Sequence, residues 1–246
     1  RSSAQDKLLL IGHSKMNTLT KQALDAETGR TKPPAHELVY QQLRARILFG
    51  DIAPGQAVTI QGLIETLGAG MTPVREAIRR LTSDGALEFQ GNRRVCVPKL
   101  TLGSIEEIDF MRQSLEPELT RRAAERADQG QIDMLVEIDN ALDLAISRGD
   151  VSGYLENNYQ FHATLYSIAN APVMAAVADR LWLRFGPSLR VVCGRFGTQN
   201  LPDKHHALLE ALRERDPVRA SQAMKEDVEQ GMMQVHAALE LSPTRN

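Results

Sequence analysis

The spacing of apolar residues changes near residue 100, which predicts two regions of different architecture. In the first region, apolar side chains recur at helical spacing from Val39 to Leu48, and Gly50 favours a helix end there. A Pro-Gly turn separates this helix from two shorter helical segments, one over 60–68 and one that opens at Thr72. A hydroxyl residue followed by proline is typical of a helix N-terminus. The predicted order is therefore helix, helix, tight turn, helix.

Two alternating apolar runs close the first region. They lie on either side of the sequence Gly-Asn-Arg-Arg at positions 91–94, which predicts a β-hairpin with a basic tip. Three helices and a basic hairpin within about 60 residues are typical of a winged helix-turn-helix, a module that reads duplex DNA. The sequence therefore predicts a DNA-binding domain over residues 36–100.

The region from Thr101 onward has helical spacing and no strand signal. Ser104 followed by Glu107 has the pattern of a capping box, so the first of these helices is predicted to begin there. Gly149 is predicted to end the second helix, and Gly186 with Pro187 to break the fourth. Amphipathic helices with short connections indicate an antiparallel bundle over 101–240. The predicted fold class is mainly α, with an N-terminal winged helix-turn-helix and a C-terminal all-α antiparallel helical bundle.

Charge is distributed unevenly between the two regions. The first 100 residues carry 14 Lys and Arg against 9 Asp and Glu, whereas the rest carry 15 against 22. A basic front half suits a domain that faces phosphates. No apolar run approaches a membrane span, only Cys96 and Cys193 are present, and there is no signal-peptide pattern, so we expect a cytoplasmic protein. Residues 1–35 are predicted to be an N-terminal arm without assigned function, and 241–246 a tail.

Two sets of motifs resemble one family. The sequence APGQAV, followed by LGAGMTPVREAIRRLTSDGAL, is similar to the helix-turn-helix of the GntR family of bacterial transcription regulators. The later motifs RQSLEP, FHATLY and HHALLEALRERDPVRASQAM resemble the helical ligand-binding FCD domain of that family's FadR-like branch. The two matches together cover roughly residues 36–240. The resemblance implies a transcription regulator, with release from DNA on effector binding as the commoner behaviour and hence a repressor.

Docking geometry assigns the DNA contacts to the start of the recognition helix, the turn before it and the wing. Arg75 is the strongest candidate, because arginine can grip a guanine edge or a phosphate, and its alternative role is an internal salt bridge. The wing cations have a solvated turn as their alternative. Relatives often carry cations at the positions of Gln61 and Met71, so we expect a different operator and a weaker salt dependence. The predicted DNA-binding residues are Thr59, Gln61, Met71, Thr72, Arg75, Arg79, Asn92, Arg93 and Arg94.

The resemblance also implies a metal site in the helical region. Many relatives bind a divalent metal with one Asp and three His, and the matching positions here are Asn158, His162, His205 and Asp227. Two imidazoles and a carboxylate can hold Zn²⁺, Ni²⁺ or Mn²⁺, although Asn is a poorer ligand than Asp. The alternative is that both histidines only form hydrogen bonds inside a polar pocket. The other histidines are predicted to lie on the surface.

A pocket lined with such groups is also a candidate effector site. Arg112 matches a position that faces the pocket in the family, and a buried guanidinium requires an anion, which implies a small carboxylate effector. The alternative partner of Arg112 is Glu116, four residues further on. Arg190 is a second candidate for contact with the effector.

The partners expected are double-stranded operator DNA, a small carboxylate effector and a second copy of the chain, with no membrane. Two copies would place two recognition helices about one DNA turn apart. The junction from Val97 to Ser104 is expected to move when the effector binds. Two other functions stay open at this point. One is a metal-dependent enzyme that uses the two histidines and the carboxylate, and the other is an adaptor that kept the fold without DNA binding.

Overall fold

The computed structural model describes residues 34–91, 94–197 and 204–240. These parts contain nine helices and three short strands, and none of the helices is long and apolar enough to cross a membrane. The elements are α1 (Ala35–Leu48), β1 (Ala57–Val58), α2 (Ile60–Leu67), α3 (Met71–Ser83), β2 (Glu88–Gln90), β3 (Arg94–Cys96), α4 (Leu102–Arg126), α5 (Gln129–Arg148), α6 (Val151–Ile168), α7 (Pro172–Phe196), α8 (His205–Arg213) and α9 (Pro217–Glu240).

The first region folds as the predicted winged helix-turn-helix. Leu43, Val74 and Leu81 are fully buried where α1 and α3 meet, so the apolar stripe seen in the sequence forms the core. The wing pairs β2 with β3 in antiparallel fashion, and β1 adds to the other side of β3. The sequence did not predict β1, because a two-residue strand after a Pro-Gly turn has no period of its own.

Two predicted helix N-caps are wrong, one by two residues and the other by three. Helix α3 begins at Met71 after Gly70, so Thr72 is not its N-cap. Proline is tolerated throughout the first helical turn, where its missing N–H has no partner anyway, and it therefore does not fix the first residue. Helix α4 begins at Leu102, and its capping box joins Thr101 to Ser104, with mutual side-chain to backbone hydrogen bonds of 3.2 and 2.8 Å. Glu107 takes no part in this cap.

The second region is the predicted antiparallel helical bundle. Helix α4 packs against α9, α6 and α7, and α5 packs against α6 and α8. Gly149 ends α5 in the left-handed conformation, as predicted. The arrangement places the middle of α4, α6, α7 and α9 around one interior space.

The predicted break at Gly186 and Pro187 is wrong, because α7 continues through both residues. Proline removes one helical hydrogen bond, but the buried side chains of Phe185 and Leu189 anchor the helix on both sides of it. Gly186 allows α7 to pack closely against the end of α1. A Cβ atom at this position would lie 2.4 Å from the carbonyl oxygen of Leu48 at the end of α1.

Candidate DNA-binding surface and ligand cavity

The exposed face of α3 carries the residues predicted to read DNA. Thr72, Arg75 and Arg79 follow one another at three- and four-residue spacing and are exposed, whereas Val74 and Ile78 on the opposite face are buried. Met71, at the first helical position, is 51 % exposed. This is the arrangement that a recognition helix needs, with an apolar face that fixes it to the domain and a polar face turned outward.

The hydrogen bonds that these surface side chains form with their neighbours would not prevent them from contacting DNA. Arg79 donates two hydrogen bonds to Glu76 at 2.7 and 3.1 Å, but its side chain is 76 % exposed, so the pair costs little to break. Gln61 donates to Glu65 at 2.9 Å. Thr59 is the N-cap of α2 and accepts the Gly62 N–H with its hydroxyl oxygen, which leaves the hydroxyl proton for a phosphate.

The wing is only partly described. Arg94 is exposed, but it begins β3 and pairs with Gln90 of β2 and so lies in the strand, next to the predicted tip. Asn92 and Arg93 lie outside the described residues. Arg80, in contrast, is turned inward, where it donates to Glu37 at 2.7 Å and lies 3.7 Å above the Tyr40 ring. Arg80 therefore joins α3 to α1.

Three predicted metal ligands meet in the helical bundle. His162 of α6, His205 of α8 and Asp227 of α9 each offer one ligand atom, and the three atoms lie within 4.8 Å of one another. The Nε2 atom of His162 lies 3.3 Å from an Asp227 oxygen, and Nε2 of His205 lies 3.9 Å from the other oxygen. Both imidazoles are buried.

Two further carboxylates orient the imidazoles. Nδ1 of His162 lies 3.1 Å from Glu116 of α4, and Nδ1 of His205 lies 3.1 Å from Asp139 of α5. A carboxylate at Nδ1 holds the proton there and leaves Nε2 for a ligand. Both Nε2 atoms face the same carboxylate, that of Asp227, so the three donors converge as a metal site requires.

The electrostatics of this cluster favour charged groups despite burial. Burial lowers the pKa of His162, but its hydrogen bonds to the Asp227 and Glu116 carboxylates outweigh burial and raise the pKa above its usual value. Burial raises the pKa of Asp227, yet the two imidazoles and the backbone N–H of Lys204 hold it well below its usual range.

Arg112 of α4 is bound by a neighbour on its own helix. Its guanidinium donates to Glu116 at 2.6 and 3.3 Å, and both side chains are almost fully buried. Burial raises the pKa of Glu116, but Arg112 and His162 lower it to about 2, so the pair stays ionised. The guanidinium carbon also lies 4.0 Å from the centre of the Phe185 ring. Glu116, the alternative to an anionic effector as the partner of Arg112, is therefore its partner in the structure.

A cavity of about 30 Å³ lies beside the cluster, which is room for roughly two water-sized groups. Arg112 and Asn158 reach it, as predicted. Arg190 does not line it and instead donates to the Phe49 carbonyl at 3.2 Å, so its assignment to the effector pocket is corrected. The lining residues are Arg112, Tyr154, Asn158, His162, Trp182, Phe185, Leu189, Asp227, Gly231 and Gln234.

Sequence reasoning did not assign Asp139, Trp182 or a ligand-orienting role for Glu116. A signal for Asp139 was present, because it occupies a core position in the apolar stripe Ile132, Leu135, Leu142 of α5. A carboxylate at such a position needs a partner, and here the partner is His205. Trp182 carried no such signal, because a buried aromatic at helical spacing is ordinary core.

The fold and its two sites define a class: a DNA-binding domain joined to an all-helical ligand-binding domain. Comparison with family models agrees with this class. Residues 35–97 match the bacterial regulatory proteins of the gntR family, and residues 107–230 match the FCD domain. The chain belongs to the GntR family of regulators and carries an FCD domain. It is a transcription regulator and not an enzyme.

The relatives agree with this assignment. The chain is 28 % identical to the HTH-type transcriptional regulator McbR of Escherichia coli strain K12, over 83 % of this chain and 95 % of that protein. It is 25 % identical to the HTH-type transcriptional repressor RspR of the same strain, over 80 % of this chain and 87 % of the repressor. The solved structure of E. coli McbR/YncC superposes with a TM-score of 0.78 at 26 % identity, over 83 % of this chain and 98 % of that one.

Proposed function

We propose that this regulator is a homodimeric repressor of the cytoplasm, whose affinity for its operator is set by a small carboxylate that binds beside a divalent metal. The observation that carries the proposal is the convergence of His162, His205 and Asp227 at the edge of a polar cavity. A regulator needs a ligand site that is separate from its DNA surface, and this cavity lies in the helical domain.

The donor set fits a divalent metal. Two neutral imidazole nitrogens and one carboxylate suit Zn²⁺, Ni²⁺ or Mn²⁺, and the carboxylates at each Nδ1 favour the ligating tautomer. Asn158 lies four residues before His162 on the same face of α6 and also lines the cavity, so its amide oxygen is the proposed fourth ligand. A bound metal would supply a Lewis acid for an oxygen of the effector.

The size and charge of the cavity favour a small carboxylate. Glu116 takes two of the five N–H groups of Arg112, which leaves others for an anion. The rings of Trp182 and Phe185 form an apolar wall. Because the free space is about 30 Å³, the ligand must be a few atoms across unless the helices move apart.

A homodimer follows from the demands of operator recognition. A single recognition helix contacts too few base pairs to be selective in a genome. Phe110 and Met111 on α4 are 72 % and 41 % exposed, and a second copy would cover this apolar surface. Sedimentation of the protein at micromolar concentration tests the dimer, and a monomer with and without DNA would contradict it.

The test of the function begins with a duplex selected by this protein from a random-sequence pool. Its affinity is then measured for the metal-free protein, with Zn²⁺, and with Zn²⁺ plus each of a panel of short carboxylic acids. The proposal expects at least one acid to weaken binding of the duplex, and the matched amide of that acid to have no effect. If no carboxylate changes the affinity while the duplex itself is bound, the proposed effector class is wrong.

A further inference from the structure

Helix α7 contacts both the ligand cavity and the DNA-binding domain. Trp182, Phe185 and Leu189 line the cavity from one face. Asp179 and Gly186, on the neighbouring face, contact α1 of the winged helix-turn-helix. At 3.6 residues per turn, the centres of these two faces are less than a quarter turn apart. A rotation or shift of α7 driven from the cavity would therefore act directly on the DNA-binding domain.

The contact with α1 is a closed triangle of hydrogen bonds. Arg44 of α1 donates to Tyr159 of α6 at 2.9 Å and to Asp179 of α7, and Tyr159 donates to Asp179 at 2.6 Å. The Arg44 side chain is only 18 % exposed. The guanidinium therefore orients α1 against two helices at once, which a single ion pair could not do.

A second contact reaches the recognition helix itself. Asp84, which caps the C-terminus of α3, accepts a hydrogen bond from Tyr40 at 3.0 Å and lies 3.4 Å from Arg180 of α7. The Arg180 side chain is 63 % exposed, so its pair with Asp84 contributes little, and the close approach at Gly186 is the more important contact between α7 and the DNA-binding domain. Any side chain at Gly186 would meet the carbonyl of Leu48, so α7 and α1 can pack this closely only with glycine there.

A continuous row of rings joins the ligand cluster to these contacts. The ligand cluster consists of His162, His205 and Asp227 together with the two orienting carboxylates, Glu116 and Asp139. The ring centres of His162 and Trp182 are 5.1 Å apart, those of Trp182 and Tyr159 are 5.5 Å apart, and those of Tyr159 and Phe49 are 6.0 Å apart. Phe49 directly follows α1. Each pair is in the distance range of favourable aromatic packing, so no ring can move without its neighbour responding.

We propose that Tyr159 and Asp179 are positioning residues that transmit the state of the ligand cluster to the DNA-binding domain, through Trp182 and the α7 to α1 contact. This inference rests on the proposed function, because it needs a ligand at His162. It replaces the junction from Val97 to Ser104 as the coupling element. Val97 and Leu100 in that junction are buried in the core, and neither lines the cavity.

The test uses reciprocity: if Zn²⁺ changes the affinity for DNA, DNA changes the affinity for Zn²⁺ by the same factor. Zn²⁺ affinity of the full chain is measured by calorimetry with and without the selected duplex. We expect the wild-type affinity to change about 5-fold or more, a typical size for such coupling. In Tyr159→Phe, which keeps the ring but loses the two triangle hydrogen bonds made by the Tyr159 hydroxyl, the change should fall below about 2-fold. Affinity for each ligand alone should stay near wild type.

Asp179→Asn provides a second variant, with Asp133→Asn, an exposed change on α5, as its matched control. Asp179→Asn should lose the coupling and Asp133→Asn should keep it. The inference is wrong if the duplex leaves the Zn²⁺ affinity of the wild type unchanged, or if Tyr159→Phe and Asp179→Asn both keep the full wild-type change. In either case, Zn²⁺ binding would still support the proposed metal site.

If the protein does not bind Zn²⁺, the proposed metal site is wrong. The inference can then be tested separately by the fluorescence of Trp182. Trp182 is the only tryptophan of the chain and lies between the cluster and the triangle. Adding the duplex should change its emission in the wild type and not in Tyr159→Phe. An unchanged wild-type emission would overturn the coupling.

Discussion

The recognition helix and the ligand cluster show two different ways of building a site. The outward residues of α3 lie within nine consecutive positions, are exposed and are held by their own helix. The ligand cluster takes residues from α4, α5, α6, α8 and α9, separated by up to 111 positions from Glu116 to Asp227, and most of them are buried. The side chains of the first site can change conformation independently of one another, whereas those of the cluster are held in place by hydrogen bonds between helices.

This difference predicts how each site fails. Loss of one side chain on the exposed face removes one contact and leaves the fold intact, because nothing buried depends on it. Loss of one side chain in the cluster leaves other buried polar groups unpaired, and the effect spreads to its neighbours. Mutations should therefore act singly on the DNA surface and jointly in the cavity.

The largest effect is expected from replacing His162 and His205 together with Ala. Two of the four proposed protein ligands disappear, so stoichiometric metal should be lost, as measured by elemental analysis after dialysis against Zn²⁺. Affinity for the selected duplex without metal should stay near wild type. His206→Ala is the matched control, because this side chain is 79 % exposed and adjacent in sequence, and it should keep the metal. A double variant that still holds one metal per chain would show that the ligands are misassigned.

Replacing Arg75 with Ala should cost about 1–3 kcal/mol in binding of the selected duplex, if Arg75 reads a base. Binding to unrelated duplexes should change less, since the phosphate contacts remain. Fluorescence anisotropy with both duplexes measures the difference, and Arg148→Ala, at the far end of α5, serves as the control. Wild-type affinity in Arg75→Ala would mean that the recognition face has been misplaced.

Replacing Asp139 with Asn should lower metal affinity by about 10–100-fold, because the imidazole of His205 loses the carboxylate that orients it. Asp139 itself donates nothing to the metal, so the stoichiometry should stay at one. Calorimetry gives both numbers. Asp133→Asn on the same helix should leave them unchanged, and an equal loss in both variants would remove the special role of Asp139.

The smallest effect is expected at the wing. Replacing Arg94 with Ala should weaken binding to all duplexes alike and reduce the slope of log affinity against log salt by about one unit. A titration at several salt concentrations measures the slope. An unchanged slope would mean that this exposed guanidinium does not contact phosphate.

The same contrast explains what the sequence could predict. The string TPVREAIRRL carries the helix, its buried face and its outward cations within ten positions, so local spacing was sufficient to predict which face of α3 is exposed. The resemblance supplied His162, His205 and Asp227, and the structure brings all three together. The carboxylate of Asp139 comes from a helix that spacing alone cannot place beside α8. Arg190 was misplaced because its hydrogen-bond partner, the carbonyl of Phe49, lies 141 positions away, and local spacing cannot show such a contact.

Anomalous diffraction at the zinc absorption edge, from crystals grown with Zn²⁺, tests the proposed metal site most directly. The site described above predicts one peak per chain between Nε2 of His162, Nε2 of His205 and the carboxylate of Asp227, with both Nδ1 atoms still on Glu116 and Asp139. A peak at surface histidines alone, or no peak in the helical domain, would contradict it.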